Sequence, residues 1–289
     1  MLTPGDWFRQ QRIDVADGLG ARCGPDCISL PGVTRGHGAA SRPSKNKIRD
    51  AGIAFEVPAP ERWPERREAL LEAVYAAYVV SWQEAPAGDV RLLDTRAEAR
   101  WLAELLVGFL PTDPEVLGLF ALLNYIDARE AARWSDDGEF VPLLEQNHAH
   151  WDIEKIAIAE KALFTASRAR QLGRYQLEAA IQSAHVARVR GGADWAAILG
   201  LYDALLKIAP TLGAAVSRAV VLAKVAGPKA GLHALEEVAD RSYQPYWAAR
   251  ADLEFEAGLD AHTSYDHAMG MAQDAQIRRY LAKRRDRPR

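Results

Sequence analysis

The sequence predicts an all-α protein, a helical bundle followed by short antiparallel helix pairs. From Arg66 onward, apolar residues recur with the period of an amphipathic helix. No stretch shows the strict alternation or the β-branched enrichment typical of a strand. Gly, Pro and acidic residues interrupt the helical pattern at intervals that suit short helices.

The composition is that of an ordinary globular protein. Of the 289 residues, 49% are hydrophobic and 26% are charged, and the net charge of -3 gives no overall attraction to nucleic acid or an anionic membrane. No apolar run approaches the roughly 20 residues that a membrane helix needs, and the first residues lack a signal-peptide pattern. Two cysteines are too few for a disulfide framework, so we expect a cytoplasmic protein.

Residues 1–44 differ from the rest of the chain. They are rich in Gly, Pro, Ser and Arg without an apolar period, which predicts loop or disorder. Cys23, Cys27 and His37 lie close together here, but a structural zinc ion needs four ligands and there is no second cysteine pair. We therefore predict no metal site and no cofactor.

Two helices are predicted next. The first begins near Arg66 and ends before Pro86. Its broad apolar face consists of Leu70, Leu71, Val74, Tyr75 and Tyr78. The second is predicted over 95–109 and ends at Pro111. Its predicted buried stripe consists of Ala99, Leu102, Leu106 and Phe109.

The third predicted helix is the most apolar. Asp113 is its predicted N-cap, Pro114 occupies the first helical position, and the segment from Val116 to Ala128 is nearly all apolar, which predicts a central place in the core. The segment Ser135 to Gly138 is a turn by composition. Further helices are predicted over 149–170, 174–189, 212–225, 228–240, 245–257 and 262–284.

Gly191-Gly192 marks the predicted boundary between a helical domain, 45–190, and a second one, 191–289. Beyond it Tyr202 and Pro210 have the spacing of the late aromatic and the terminal proline of a tetratricopeptide repeat. Repeat grooves of this kind bind peptides or helices. The candidate partner-binding residues are Trp195, Tyr202, Tyr246, Trp247 and Arg250, and ordinary core aromatics are the alternative interpretation.

The block from Gln146 to Asp152 contains two histidines. At two residues apart, His148 and His150 point to different faces of a helix and cannot share a metal ion as an i, i+4 pair would. We instead predict a structural clamp, in which Gln146 and Asp152 hydrogen-bond across the turn and Trp151 fills the core.

No pattern in the chain indicates catalysis. There is no Ser-His-Asp or Cys-His arrangement, and acidic pairs such as Asp136-Asp137 lack a partner base. The dense basic cluster over 278–289 fits either a solvated helix end that opposes the helix dipole or a phosphate contact. The first interpretation is favoured because the cluster contains a single aromatic residue, Tyr280, whereas single-strand binding needs several interleaved aromatics. We expect that the protein is not an enzyme.

Several segments carry a family resemblance. ARWLAELLVGFLPTDPEVLGLFALLNYIDAREAAR, DDGEFVPLLEQN and HWD resemble the C-terminal extension of one subgroup of bacterial extracytoplasmic-function sigma factors. The resemblance continues through RYQLEAAIQSAH, DWAAILGLYDALLKIAP and AGLHALEEVA, and covers about four fifths of the chain. In that subgroup a tetratricopeptide-like helical tail follows the two sigma regions. The motif residues are Asp127, Arg129, Asp137, Gly138, Gln146, Trp151 and Asp152.

The resemblance implies a regulatory extension of a sigma factor. In relatives this extension is thought to modulate sigma activity by packing on the sigma regions. Here the clamp-gripping region has no counterpart, and only Lys45 to Ile53 resembles the end of the promoter-reading recognition helix and the linker after it. Residues 1–44 are then a degenerate remnant, an out-of-frame reading of a damaged sigma gene or a mis-set start.

The resemblance also sets the expected function and partners. We expect a truncated sigma-70-family-like protein that modulates transcription initiation through protein–protein contacts. RNA polymerase, a sigma factor or another protein or peptide is the expected partner, without direct promoter binding and without a membrane. The alternative is a stand-alone tetratricopeptide-like adaptor that has no role in transcription.

Overall fold

The described part of the chain is helical throughout. The computed structural model describes residues 62–84, 90–189, 191 and 194–288. Within these residues there is no strand beyond one isolated bridge between Trp134 and Phe140, so the predicted all-α class is confirmed. The helices are α1 (Trp63–Glu84), α2 (Val90–Phe109), α3 (Pro114–Asp127), α4 (Ile153–Ser167), α5 (Arg174–Val189), α6 (Trp195–Ile208), α7 (Leu212–Ala226), α8 (Pro228–Glu236), α9 (Gln244–Glu256), α10 (His262–Met271) and α11 (Ala275–Arg285).

Three sequence-based predictions fall outside the described residues. They concern the zinc-like group Cys23, Cys27 and His37, the irregular segment 1–44, and the junction from Lys45 to Ile53. All three stay predictions.

Helix α3 forms the centre of the first half. It packs against α4 and α5 and also against α1 and α2, and most of its residues are buried. Asp113 is the N-cap, as predicted, because its carboxylate accepts hydrogen bonds from the backbone N–H groups of Glu115 and Val116. The nearly all-apolar sequence of α3 is explained by this contact on several sides.

The N-terminal turns of α3 and α5 are in close contact. The Glu115 carboxylate accepts hydrogen bonds of 3.1 Å from the backbone N–H groups of Tyr175 and Gln176, so it caps α5 from a neighbouring helix. Burial raises the pKa of Glu115, although these two N–H groups favour its ionised form. A Cβ atom on Gly118 would lie 2.5 Å from the backbone nitrogen of Gln176, so only glycine permits this approach.

The second half is a stack of helices in chain order. From α5 to α11 each helix packs on the next one, and α7 also contacts α9. Asp194 caps α6 and Thr211 caps α7, each by accepting a hydrogen bond from a backbone N–H group in the first turn. Helix pairs that bury their apolar faces on their neighbours are the tetratricopeptide-like arrangement that the sequence predicts.

Several predicted helix boundaries differ in the structure. The predicted helix over 262–284 is two helices, α10 and α11, because Asp274 caps a new start by accepting from the Gln276 N–H group. The predicted helix over 149–170 begins only at Ile153, and a short 3-10 turn, His148–His150, precedes it. Helix α2 begins earlier than predicted, at Val90, and α8 ends earlier, at Glu236.

Helix α11 returns to the first half of the chain. Tyr280 packs edge-to-face on Phe140 with ring centroids 5.6 Å apart, and Arg284 lies 3.2 Å from Glu145. Lys283 forms an ion pair with Glu139. We call these three contacts the C-terminal latch. The basic cluster, predicted to be a solvated helix end, is therefore partly engaged with distant acidic residues.

The largest core cluster runs from Leu71 on α1 to Val221 on α7. Two smaller clusters lie beyond it, one under α7 to α9 and one under α9 to α11. The largest cluster continues across Gly191, where we predicted a domain boundary, and that boundary stays a prediction. None of the helices in the described part of the chain is both long enough and apolar enough to span a bilayer.

Candidate interaction surfaces

The motif residue Asp127 joins the first two helices to the end of α3. It accepts a hydrogen bond from the Tyr78 hydroxyl of α1, and its carboxylate lies 3.5 Å from Arg100 of α2. Arg96 of α2 lies 3.0 Å from Glu130 and contacts Asp127 at 4.0 Å. Burial and then the Asp127 charge raise the pKa of Tyr78, so its hydroxyl stays a donor. This network fixes the orientation of α2 on α3.

Arg129, the other end of the same motif, connects α3 to α5. Its guanidinium donates to the Tyr125 carbonyl at 3.3 Å and to the Gln182 side chain at 2.6 Å. Burial lowers its pKa to about 10. His185 lies nearby, and burial together with the Arg129 charge lowers its pKa to about 3. These residues therefore form a buried structural joint, with a neutral imidazole beside a cation.

The turn at 146–152 is held by a different hydrogen bond from the one predicted for the clamp. Trp151 is buried, as predicted, but its indole N–H donates to the Gln146 carbonyl oxygen at 3.3 Å. The Gln146 amide nitrogen in turn donates to the Val141 carbonyl. Asp152 does not close the turn with Gln146. It is the N-cap of α4, accepts from the Lys155 N–H group, and donates its own N–H to the Ala128 carbonyl.

The turn at Asp137-Gly138 holds the acidic side of the latch. The Gly138 N–H donates to the Ser135 carbonyl at 2.8 Å, and its φ of 72° lies in the left-handed region that favours glycine. The bridge between Trp134 and Phe140 closes this turn. Asp137 is exposed at its tip, as a solvated turn residue would be. The turn thereby presents Phe140 to α11.

The predicted partner-binding residues do not form one groove. Tyr202 and Tyr246 are buried, which is what the alternative interpretation as core aromatics expects for them. Tyr202 belongs to the largest core cluster, and Tyr246 belongs to the cluster under α7 to α9. They are therefore unavailable to a partner on the surface of this fold.

The other three candidates are only half-buried. Trp247 stacks on His267 with centroids 4.4 Å apart, and its indole N–H donates to the Arg241 carbonyl. Arg250 is paired with Glu254 at 2.7 Å. Trp195 lies beneath the guanidinium of Arg188 and packs on the largest core cluster rather than beside Trp247. These side chains are occupied by local contacts.

The exposed side of α2 is an apolar surface that the sequence patterns did not identify. Leu102 and Phe109, predicted to be buried, are 39% and 72% exposed. Trp101 and Leu105 beside them are 59% and 40% exposed. Ala99 is buried and Leu106 partly buried, as predicted, and Ala103, which was not predicted, completes the buried side of α2. We call Trp101, Leu102, Leu105 and Phe109 the α2 outer face.

The inward side of α2 explains why its large residues point outward. The small side chains of Ala99 and Ala103 let α2 approach its neighbours closely, and Arg96 and Arg100 bind the acidic residues at the end of α3. With this side fixed by ion pairs, the opposite side must carry the larger apolar residues. A helix with apolar residues on both sides normally has a partner on both sides.

The described residues contain no group of three or more His, Cys, Asp or Glu side chains arranged to hold a metal ion. His148 packs edge-to-face on Trp151, and His262 hydrogen-bonds Asp260. His267 bonds the Thr263 carbonyl. Each of these histidines has a local structural contact.

Two comparisons with known proteins found a match to this chain. A family of unknown function, DUF6596, matches residues 66–174, which include most of α1, all of α2 to α4 and the α2 outer face. The chain is also similar to an uncharacterized protein of Rhizobium meliloti (strain 1021), with 31% identity over 248 residues that cover 84% of this chain. The chain spans 59% of that relative's length. No solved structure matches the chain.

Proposed function

We propose that the chain is a sigma-factor-like regulatory protein that modulates transcription initiation through protein–protein contacts. Its segments resemble the helical extension of extracytoplasmic-function sigma factors, and the residues matched by DUF6596 coincide with the part that carries most of this resemblance. The all-α stack suits such a role, since helical repeats offer broad binding surfaces.

The observation that carries the proposal is the α2 outer face. A row of large apolar side chains on the surface of a globular chain usually marks an interface. The networks around Asp127 and Arg129 are structural joints that orient α2 and offer no catalytic arrangement. A binding role therefore fits this surface better than chemistry does, and we propose that the protein is not an enzyme.

A pull-down with purified components tests the proposal. The tagged chain is incubated with core RNA polymerase, with an extracytoplasmic-function sigma factor, and with an unrelated control protein. We expect retention of the polymerase or of the sigma factor, and weaker retention by the Phe109→Ser variant. The Leu172→Ser variant is the control, because Leu172 is also apolar and exposed but lies in the turn between α4 and α5, outside the α2 outer face. If neither protein is retained, the alternative of an adaptor without a role in transcription is favoured.

A further inference from the structure

We propose that the α2 outer face docks a basic amphipathic helix of a protein partner. The inference deepens the proposed function, and rests on it in treating this face as a protein-contact surface. Trp101, Leu105 and Phe109 lie at i, i+4 and i+8, so they form one line of about 12 Å along the helix.

The neighbouring helix α1 packs on α2 and also carries an exposed apolar residue, since Leu70 is 46% exposed. Exposed apolar side chains in a row on one helix are the contacts that a second amphipathic helix makes when it packs along it.

The charged residues of α2 indicate which charge the partner helix carries. Arg96 and Arg100 point toward α3, where they bind Glu130 and Asp127. Glu98 and Glu104 are exposed. Glu98 is in register with Leu102 and Leu105, and Glu104 lies one turn from Trp101. The outer side of α2 is therefore apolar with an acidic border, which is complementary to an apolar helix that has a basic border.

The same charges disfavour two other occupants. In a symmetric dimer through this face, residues 95–109 would add two exposed carboxylates from each copy, whereas the cations of that range, Arg96 and Arg100, bind acidic residues near the end of α3. An anionic lipid surface would meet the same acidic border and be repelled. A basic helix would form favourable ion pairs with these carboxylates at the rim of the contact.

Two designed peptides test the inference with the purified chain alone. Both are amphipathic helices with the same leucine stripe, one flanked by Lys and Arg and the other by Glu. Fluorescence anisotropy of labelled peptide measures the Kd. We expect the cationic peptide to bind at least about tenfold more tightly than the anionic one.

Variants separate the apolar contribution from the charge contribution. The pair Leu105→Ser and Phe109→Ser should abolish binding of the cationic peptide, and the pair Glu98→Lys and Glu104→Lys should reverse the preference in favour of the anionic peptide. All four side chains are exposed, so the thermal melts should stay unchanged. Leu172→Ser should bind like the wild type.

Three results would overturn the inference. The first is equal or absent binding of the two peptides. The second is self-association in sedimentation that Phe109→Ser abolishes, which would assign the face to a second copy. The third is binding to phosphatidylglycerol vesicles in preference to the cationic peptide. Because no polymerase is present, peptide binding with a failed pull-down would refute only the transcription role. A successful pull-down without peptide binding would refute only the basic-helix chemistry.

Discussion

At the scale of single residues, buried polar side chains hold the first half together. Asp127 and Arg129 are two residues apart but point to opposite neighbours, the α1–α2 pair and α5. Trp151 fills the space beneath the 146–152 turn and satisfies its indole N–H with Gln146. Each residue therefore fixes one junction between helices. The consequences of losing each one are measurable.

Removing the Trp151 ring should be costly. We expect Trp151→Ala to lower the free energy of unfolding by roughly 3–5 kcal/mol, because a buried aromatic side chain leaves a cavity. Trp151→Phe keeps most of the apolar volume but loses the hydrogen bond to Gln146, so its loss should be smaller. Urea denaturation followed by circular dichroism measures both, and equal losses would argue against the packing role of the ring.

The buried His185 should make the fold sensitive to acid. Burial and the nearby Arg129 lower the pKa of His185 to about 3, whereas an imidazole in the unfolded chain titrates near about 6.5. His185 therefore binds a proton in the unfolded chain at a pH at which it stays neutral in the folded chain. The stability contributed by the neutral ring is complete above about pH 6.5 and is lost as the pH falls toward 3.

Urea unfolding at pH 7, 6 and 5 checks this titration. We expect the free energy of unfolding to fall in that window by up to about 1.4 kcal/mol per pH unit from this group. In His185→Gln that part of the slope should be absent, although other groups still titrate. Identical slopes in the wild type and the variant would contradict a neutral His185 in the folded protein.

At the scale of elements, the close contact between α3 and α5 depends on glycine. The Cβ of alanine at position 118 would meet the backbone of Gln176, and backbone cannot move as a flexible side chain can. We expect Gly118→Ala to destabilise the fold by about 1–3 kcal/mol. Gly108 on α2 has open space around its Cβ position, so Gly108→Ala should be neutral or stabilise by up to about 1 kcal/mol.

Thermal melts of the two alanine variants compare the same chemical change at two helical glycines. A similar shift in Tm for both would mean that helix propensity, and not the α3–α5 contact, decides the outcome. Both glycines lie within α-helices, so the two variants make the same change to the backbone. They differ in the atoms that the added methyl group contacts.

Much of the helical order could be predicted from the sequence, because caps and breakers are local signals. Asp113 with Pro114 marks the start of α3 correctly. Asp274 was missed as an N-cap because no Gly or Pro stands beside it, so α10 and α11 were predicted as one helix. Such an error concerns a boundary and leaves the fold class unchanged.

Burial could not be predicted as well as helicity. α2 has apolar residues on two sides, and the period alone does not tell which side meets the core, so Leu102 and Phe109 were placed inside and Ala103 was not identified. Only the contacts of Arg96 and Arg100 with α3 decide the orientation. Tyr246 was likewise a candidate for a repeat groove, but the neighbouring helices bury it.

At the scale of the whole molecule, the C-terminal latch connects the last helix to the first half. The aromatic contact between Tyr280 and Phe140 should contribute more than the exposed ion pair of Lys283 with Glu139, since exposed pairs are screened by water and salt. The latch thus holds the last helix against residues 139–145, which lie between α3 and α4. Local opening at this point is expected before global unfolding.

Hydrogen exchange across residues 139–145 tests the latch. We expect Tyr280→Ala to speed exchange there by roughly two- to tenfold, the range that the loss of one aromatic pair implies. Arg279→Ala on the same helix is the control, because Arg279 is exposed and lies outside the latch. If the control speeds exchange equally, a general loosening of α11 is the cause instead.

The central claim is that the α2 outer face contacts the transcription machinery, and photo-crosslinking in cells tests it most directly. A benzophenone amino acid is placed at Leu105, and at Leu172 as the control, and crosslinked proteins are identified by mass spectrometry. Both side chains are exposed, so the fold should tolerate the probe. The account predicts that position 105, and not position 172, crosslinks to RNA polymerase or to a sigma factor. Crosslinks from position 105 solely to proteins outside transcription would contradict it.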